Sequence, residues 1–126
     1  MTGGWPPIAR LRVRLAAQVA PPLVVSAAAR QYVFDAESAA YAEIDVRRDD
    51  AFAVVVVIGS LPDDEFIAQV WHRLAREVWL VDPRDEAVYI ARAGDPPRVL
   101  DRRGTLRSAE LPGVAIPIDA LFAPPS

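Results

Sequence analysis

The sequence predicts one α/β domain with a mixed central sheet, one main helix packed against that sheet, and a β-rich C-terminal extension. Ala53 to Ile58 forms a continuous apolar run rich in β-branched side chains, which is typical of a strand buried on both faces. Val78 to Val81 forms a second apolar strand after a helix-like segment. Because 126 residues suffice for a single hydrophobic core, we expect one domain at residues 8–126, preceded by a flexible lead-in at residues 1–7.

The first half of the chain is predicted to contain a helix and several short strands. Apolar residues recur at spacings of three and four, which predicts an amphipathic helix over residues 8–19. A period of two through Leu11, Val13 and Leu15 also fits, so a strand stays open as the alternative. Further strands are expected at residues 23–25, 31–34 and 42–48, with a turn at residues 49–50.

The second half is predicted to contain the main helix and a series of hairpins. Gly59 to Pro62 ends the buried strand, and an N-cap at Asp63 or Asp64 starts a helix that runs to about Arg76. A tight turn after Asp82 leads into another strand, which predicts a hairpin. The other expected elements are strands at residues 87–91 and 98–100, peripheral strand pieces at residues 104–106 and 114–116, and a helical turn at residues 119–122.

Composition narrows the range of functions. The net charge is −3, so no overall positive field attracts the chain to nucleic acid. Binding of DNA would therefore require a local patch of arginines. All 14 basic residues are arginine, a composition typical of a high-GC bacterial genome. Since the chain has no lysine, no mechanism that needs a lysine ammonium group can operate in this chain alone.

The absence of cysteine and of long apolar segments limits the redox chemistry and the cellular location of the chain. Without cysteine, the chain cannot form disulfides, thiolate metal sites or a cysteine nucleophile. Its longest apolar run, residues 51–58, is shorter than the roughly 20 residues that a membrane-spanning helix needs. Residues 1–7 lack the basic and then apolar pattern of a signal peptide. We therefore expect a cytoplasmic protein with no membrane partner.

Three motifs follow one another in the second half of the chain. They are V-W-L-V-D-P at residues 78–83, G-T-L-R-S at residues 104–108 and L-P-G-V at residues 111–114. With these motifs the chain resembles the Uma family of proposed restriction endonucleases, a branch of the PD-(D/E)XK nuclease superfamily, over roughly residues 42–122. That family carries an E-Y-W-L-V-D-P strand, a hairpin and a G-D-T-L-R-S-x-L-L-P-G-L tail, and its N-terminal region is usually longer. The resemblance implies a restriction-endonuclease-like fold.

The resemblance also implies a chemistry, namely metal-dependent hydrolysis of DNA phosphodiesters by acids on two adjacent strands, assisted by a lysine. The family's first acid falls on Glu43, its second acid on Val56, and its lysine near Phe66. Two of these three positions are apolar, so the resemblance predicts a degenerate active site without a complete set of catalytic or metal-binding residues. Glu43 and Asp45 remain as candidate catalytic residues, and Glu43 as a candidate metal ligand. No cofactor is expected.

A divergent metal-dependent endonuclease is the alternative function, with Mg²⁺ or Mn²⁺ as its cofactor. It would combine Glu43 and Asp45 with acids of the turn or of the helix start, which are Asp49, Asp50, Asp63, Asp64 and Glu65. A simpler interpretation is that all of these acids are solvated turn and capping residues. A serine hydrolase would need His72 with Ser60 or Ser108, but no G-x-S-x-G motif surrounds either serine.

The sequence therefore favours a degenerate, inactive domain that acts as a binding or assembly module. Its partner would be a second copy of the chain, in a homodimer, or another protein. A third hypothesis is a small accessory or immunity-type protein encoded beside an active nuclease. Arginines in predicted loops and strand ends would form either a phosphate-binding surface or solvated charges, and the acids beside them favour solvated charges. These arginines are Arg47, Arg48, Arg102, Arg103 and Arg107.

Overall fold

The structure is a computed structural model that describes residues 6–26, 30–33, 39–49, 51–58, 75–82, 84–92, 96 and 98–122. Its helices and strands, in chain order, are α1 (Pro6–Gln18), β1 (Leu23–Ser26), β2 (Arg30–Val33), β3 (Ala39–Ala42), β4 (Ile44–Arg48), β5 (Ala51–Ile58), β6 (Ala75–Asp82), β7 (Ala87–Arg92), β8 (Arg98–Leu100), β9 (Thr105–Ser108), β10 (Leu111–Pro117) and α2 (Ile118–Phe122). Within these residues, no helix is long and apolar enough to cross a membrane.

A six-stranded sheet forms the centre of the domain, in the order β1-β4-β5-β6-β7-β8. All neighbouring strands in it are antiparallel except β5 and β6, which are parallel. The predicted mixed sheet is therefore confirmed, as is the predicted hairpin, because β6 pairs with β7. Two smaller two-stranded sheets, β2-β3 and β9-β10, complete the described strands.

Strands β5 and β6 lie in the middle because their side chains are apolar on both faces. Val54 and Val56 point into one hydrophobic cluster, while Val55 and Val57 point into a second cluster on the opposite face. Strand β6 divides in the same way, with Trp79 in the first cluster and Leu80 in the second. Successive side chains of a strand alternate between faces, so both faces of the sheet centre are core.

Helix α1 packs over the first cluster. Ile8, Leu11 and Leu15 are buried and Val13 is 67% exposed, which confirms the helical spacing over the alternating one. The helix begins at Pro6, two residues before the predicted start, because proline fits a first helical turn whose N–H groups lack partners anyway.

The C-terminal elements close this cluster over the sheet. The prediction that the last strands are peripheral is wrong, since Leu106, Val114 and Ile116 are buried in the first cluster. The β9-β10 hairpin and α2 pack with α1, and hydrogen bonds join them over long sequence separations. Arg10 Nη1 donates to the carbonyl oxygen of Leu121 at 2.8 Å. The backbone N of Ala115 donates to Gln18 Oε1 at 2.8 Å.

The predicted main helix was placed partly in the wrong position. Ala75 and Arg76 belong to β6 and do not end a helix, because the parallel register pairs Ala75 with Phe52 and so extends the strand. The rest of that predicted helix, up to Leu74, lies outside the described residues. The main helix that the structure describes against the sheet is α1.

Shortening a core side chain of α1 tests this packing. We expect Leu15→Ala to lower the free energy of unfolding by about 2–5 kcal/mol, because Leu15 is fully buried and its removal leaves a cavity. The control is Val13→Ala on the exposed side of the same helix, where we expect a change within about 0.5 kcal/mol. Urea unfolding at equilibrium measures both, and equal losses in the two variants would contradict the packing of α1.

Candidate functional site

The fold brings together positions 43 and 56, to which the sequence resemblance assigns the two acids. In the antiparallel pair β4-β5, Ile44 lies opposite Val56, and the backbone N of Glu43 donates to the carbonyl oxygen of Val56 at 2.7 Å. Position 56, however, carries a hydrocarbon side chain that is 0% exposed and packs in the first cluster with Ile44 and Trp79. The arrangement places Glu43 beside the core and supplies no second oxygen ligand from position 56.

The side chain of Asp45 lies on the face of the sheet opposite to that of Val56. It is opposite Val55, whose side chain belongs to the second cluster, and directly opposite residues share a face. Asp45 is buried, so the interpretation of this residue as a solvated acid is wrong. Arg47 Nε donates to Asp45 Oδ1 at 3.1 Å, and the Arg47 guanidinium also lies over the Phe52 ring, 4.6 Å from its centroid. Burial of the carboxylate is thus compensated by an adjacent cation.

Asp49 lies in the turn between β4 and β5, as predicted for a turn residue. Its φ of 56° is in the left-handed region, which aspartate tolerates better than most residues. It is six residues along the chain from Glu43, about 20 Å at roughly 3.3 Å per strand residue, so the two carboxylates cannot share a cation. Asp50 and the acids at residues 63–65 lie outside the described residues. In the part of the chain that the structure describes, no group of three or more His, Asp and Glu could hold a metal ion.

Among the position assigned to the family's lysine and the residues of the serine-hydrolase alternative, the structure describes only Ser108. Phe66, His72 and Ser60 lie outside the described residues. The hydroxyl of Ser108 accepts a hydrogen bond from the backbone N of Glu110 at 3.1 Å, within the β9-β10 turn.

The C-terminal arginines are mostly surface charges. Arg102 forms ion pairs with Glu86 at 3.2 Å and with Asp119 at 2.8 Å, and so links a turn of the sheet to α2. Arg103 and Arg107 are exposed. This supports the interpretation of these arginines as solvated charges.

A buried ionic network was not predicted from the sequence. Glu77 is buried in β6, where Trp79 Nε1 donates to its Oε1 at 2.6 Å and Arg92 Nη1 donates to its Oε2 at 2.9 Å. Arg92 Nη2 also donates to Glu110 Oε2 at 3.2 Å, and the hydrogen bond to Glu77 is the main reason why the Arg92 pKa is raised. The network joins β6 and β7 to the β9-β10 turn. Its sequence signal was the acid directly before the apolar run V-W-L-V at residues 78–81.

Asp82 is a further buried acid, and its burial was not predicted from the sequence. Its Oδ1 accepts from the backbone N of Arg84 at 2.8 Å and of Asp85 at 3.2 Å, which shapes the β6-β7 turn. Its Oδ2 is buried without a hydrogen-bond partner among the described residues. Burial raises the pKa of Tyr89 on the next strand, and the charges of Asp85 and Asp82 raise it further.

Comparisons with known proteins support the fold. No protein-family profile matches the chain, and no curated protein sequence matches it. The chain is similar to a solved structure from Anabaena variabilis, described as that of a candidate nuclease belonging to DUF820. The TM-score is 0.68 at 14% sequence identity, over 98% of this chain and 83% of the other. The mixed α/β fold predicted from the sequence is therefore confirmed, and the chain shares this fold with that structure.

Removing the buried acid tests the ionic network. We expect Glu77→Ala to lower the free energy of unfolding by about 2–4 kcal/mol, because Arg92 keeps a charge without its main partner and the Trp79 N–H loses its acceptor. Equilibrium unfolding followed by tryptophan fluorescence measures the loss. Glu86→Ala removes an acid whose side chain is 44% exposed, and we expect it to change stability little. Similar losses in both variants would show that the network does not stabilise the domain.

The raised pKa of Tyr89 predicts how stability depends on alkaline pH. The folded chain holds the phenol proton to higher pH than the unfolded chain, so this contribution is fully present below pH about 10 and is lost as pH rises through the folded pKa. A titration of phenolate absorbance should include a late phase, at a pH above the ordinary tyrosine pKa, that belongs to Tyr89. We expect this late phase to disappear in Tyr89→Phe and to remain in Tyr41→Phe. The opposite pattern would assign it to another tyrosine.

Proposed function

We propose that this chain is a degenerate, Uma-like domain that has no nuclease activity and serves as a binding or assembly module. The observation that carries the proposal is Val56, a fully buried valine at the position where the family's second acid falls. The backbone N of Glu43, the remaining candidate ligand, donates to the carbonyl oxygen of Val56. A site that needs two acids on adjacent strands has one acid and one core side chain.

The chemistry of divalent cations supports this proposal. Mg²⁺ requires six oxygen ligands in near-octahedral geometry, and an isolated carboxylate gives too few fixed ligands to hold it. Asp45 is on the face opposite Val56 and is engaged with Arg47, so it does not replace the missing acid. The lysine that assists hydrolysis in the family has no counterpart, since the chain contains none.

The edges of the central sheet suit a second copy or another protein as the partner. Strands β1 and β8 end the sheet, and each carries an exposed valine, Val24 and Val99 respectively. An edge strand presents backbone N–H and C=O groups that another strand can pair with. In a homodimer, two such edges would meet about a two-fold axis.

Metal binding and DNA nicking test the loss of catalysis. We expect calorimetric titration with Mg²⁺ and Mn²⁺ to give no binding heat, and plasmid DNA to stay intact with either ion, because Glu43 has no second ligand at position 56. Glu43→Ala should behave like the unchanged chain, and Glu86→Ala serves as the surface control. Binding and nicking that vanish in Glu43→Ala but persist in Glu86→Ala would establish the divergent nuclease instead.

A further inference from the structure

A cleft of about 700 Å³ opens where β5 begins, at the end of the strand away from Ile58. Three parts of the fold form it: the β4-β5 turn with the start of β5, the start of β6, and the β9-β10 turn. The described residues lining it are Arg48, Asp49, Ala51, Phe52, Ala53, Arg76, Ala109 and Glu110. Its size falls within the range of about 300–1,000 Å³ that is usual for small-molecule sites.

This cleft is separate from the position of the family's active site. Phe52 in the cleft is four residues before Val56 along β5, a distance of about 13 Å at roughly 3.3 Å per residue. Glu43 is hydrogen-bonded to Val56 and not to the start of the strand. A ligand in the cleft therefore does not depend on the missing acid.

Two guanidinium groups in the cleft are available to a ligand. Arg76 is 72% exposed and approaches Glu110 only at 3.8 Å, which is longer than a hydrogen bond. Glu110 is held instead by Arg92, at 3.2 Å. Arg48 is exposed, and its guanidinium group makes no hydrogen bond or ion pair with the residues that the structure describes. Both cations can turn toward an anion without breaking a strong pair.

The wall beside these cations is apolar. Phe52 is half-buried, and alanines at positions 51, 53 and 109 complete the wall. Arg47 stacks on the Phe52 ring and helps to fix its orientation. The cleft thus combines two exposed arginines with an apolar wall, and small-molecule sites typically have a few charged groups on an apolar lining.

We propose that this cleft binds a small phosphorylated molecule, with its phosphate between Arg48 and Arg76 and its remaining atoms against Phe52 and the alanines. Two guanidinium groups match the double charge and the paired oxygens of a phosphate. Asp49 opposes the anion, and its removal strengthens binding. The proposal deepens the proposed function, because it assumes that the domain binds a ligand and does not cleave one.

Calorimetric titration with inorganic pyrophosphate, in EDTA and at fixed ionic strength, tests the cleft. We expect Arg48→Ala and Arg76→Ala each to weaken binding by about tenfold or more, since each removes a charged hydrogen-bond donor. Asp49→Asn should tighten it by about two- to fivefold, and asparagine also tolerates the positive φ at this position. The matched control is Arg103→Ala, an exposed arginine at the opposite end of β9, which should change affinity by less than about twofold. Melting curves confirm that each variant is folded.

A second arm uses a single-stranded DNA of ten nucleotides without terminal phosphates. We expect it to bind more weakly than pyrophosphate, because its phosphodiesters carry one charge each. DNA that binds as tightly, with the same loss in Arg76→Ala, would overturn the small-molecule assignment. If pyrophosphate gives no binding heat, or if Arg103→Ala weakens its binding as much as the cleft variants do, the cleft is not the binding site. Since EDTA removes metal ions, none of these results depends on nicking, which tests the proposed function separately.

Discussion

The parallel pairing of β5 with β6 is the constraint on which the other elements of this domain depend. Both strands are apolar on both faces, so each face needs its own cover. On one face α1, β9-β10 and α2 provide this cover. On the other face Val55, Leu80 and Ala91 form a second cluster. Position 56 lies within this doubly covered centre, and a carboxylate there would have to be desolvated without a partner.

The same constraint explains how the domain places its acids. Asp45 and Glu77 are both buried in the sheet, and each is hydrogen-bonded to an arginine. Asp82 instead uses backbone N–H groups of a turn. A lone carboxylate at the sheet centre would have neither an arginine nor turn N–H groups to compensate its burial, whereas an apolar side chain adds to the core. The buried valine at position 56 therefore adds to the core without the cost of desolvating a charge.

Much of the fold followed from hydrophobic periodicity, because burial repeats along the chain. The spacing of Ile8, Leu11 and Leu15 predicted α1, and the β-branched run predicted β5. Contacts between distant residues left no such pattern. Leu106 belongs to the same cluster as residues of α1 about 90 positions earlier in the chain. No local period reveals such a contact, and so its strand was predicted to be peripheral.

The candidate site was predictable only in part for the same reason. The resemblance identified positions 43 and 56, which the structure places side by side. The burial of Asp45 was missed, because alternation with Ile44 and Val46 resembles a strand with one solvated face. The Glu77–Arg92 pair was missed because its members lie 15 positions apart and only the β6-β7 register makes them neighbours. The cleft likewise combines residues from three separate segments.

The contacts of α1 have a consequence for synthesis on the ribosome. Arg10 bonds to Leu121 and Gln18 bonds to Ala115, so the partners of the first helix are the last elements of the described chain. Until β10 and α2 leave the exit tunnel, the apolar stripe of α1 and one face of the sheet have no permanent cover. The first cluster can therefore close only after residues 111–122 have been synthesised, and until then the apolar stripe of α1 lacks part of its packing partners.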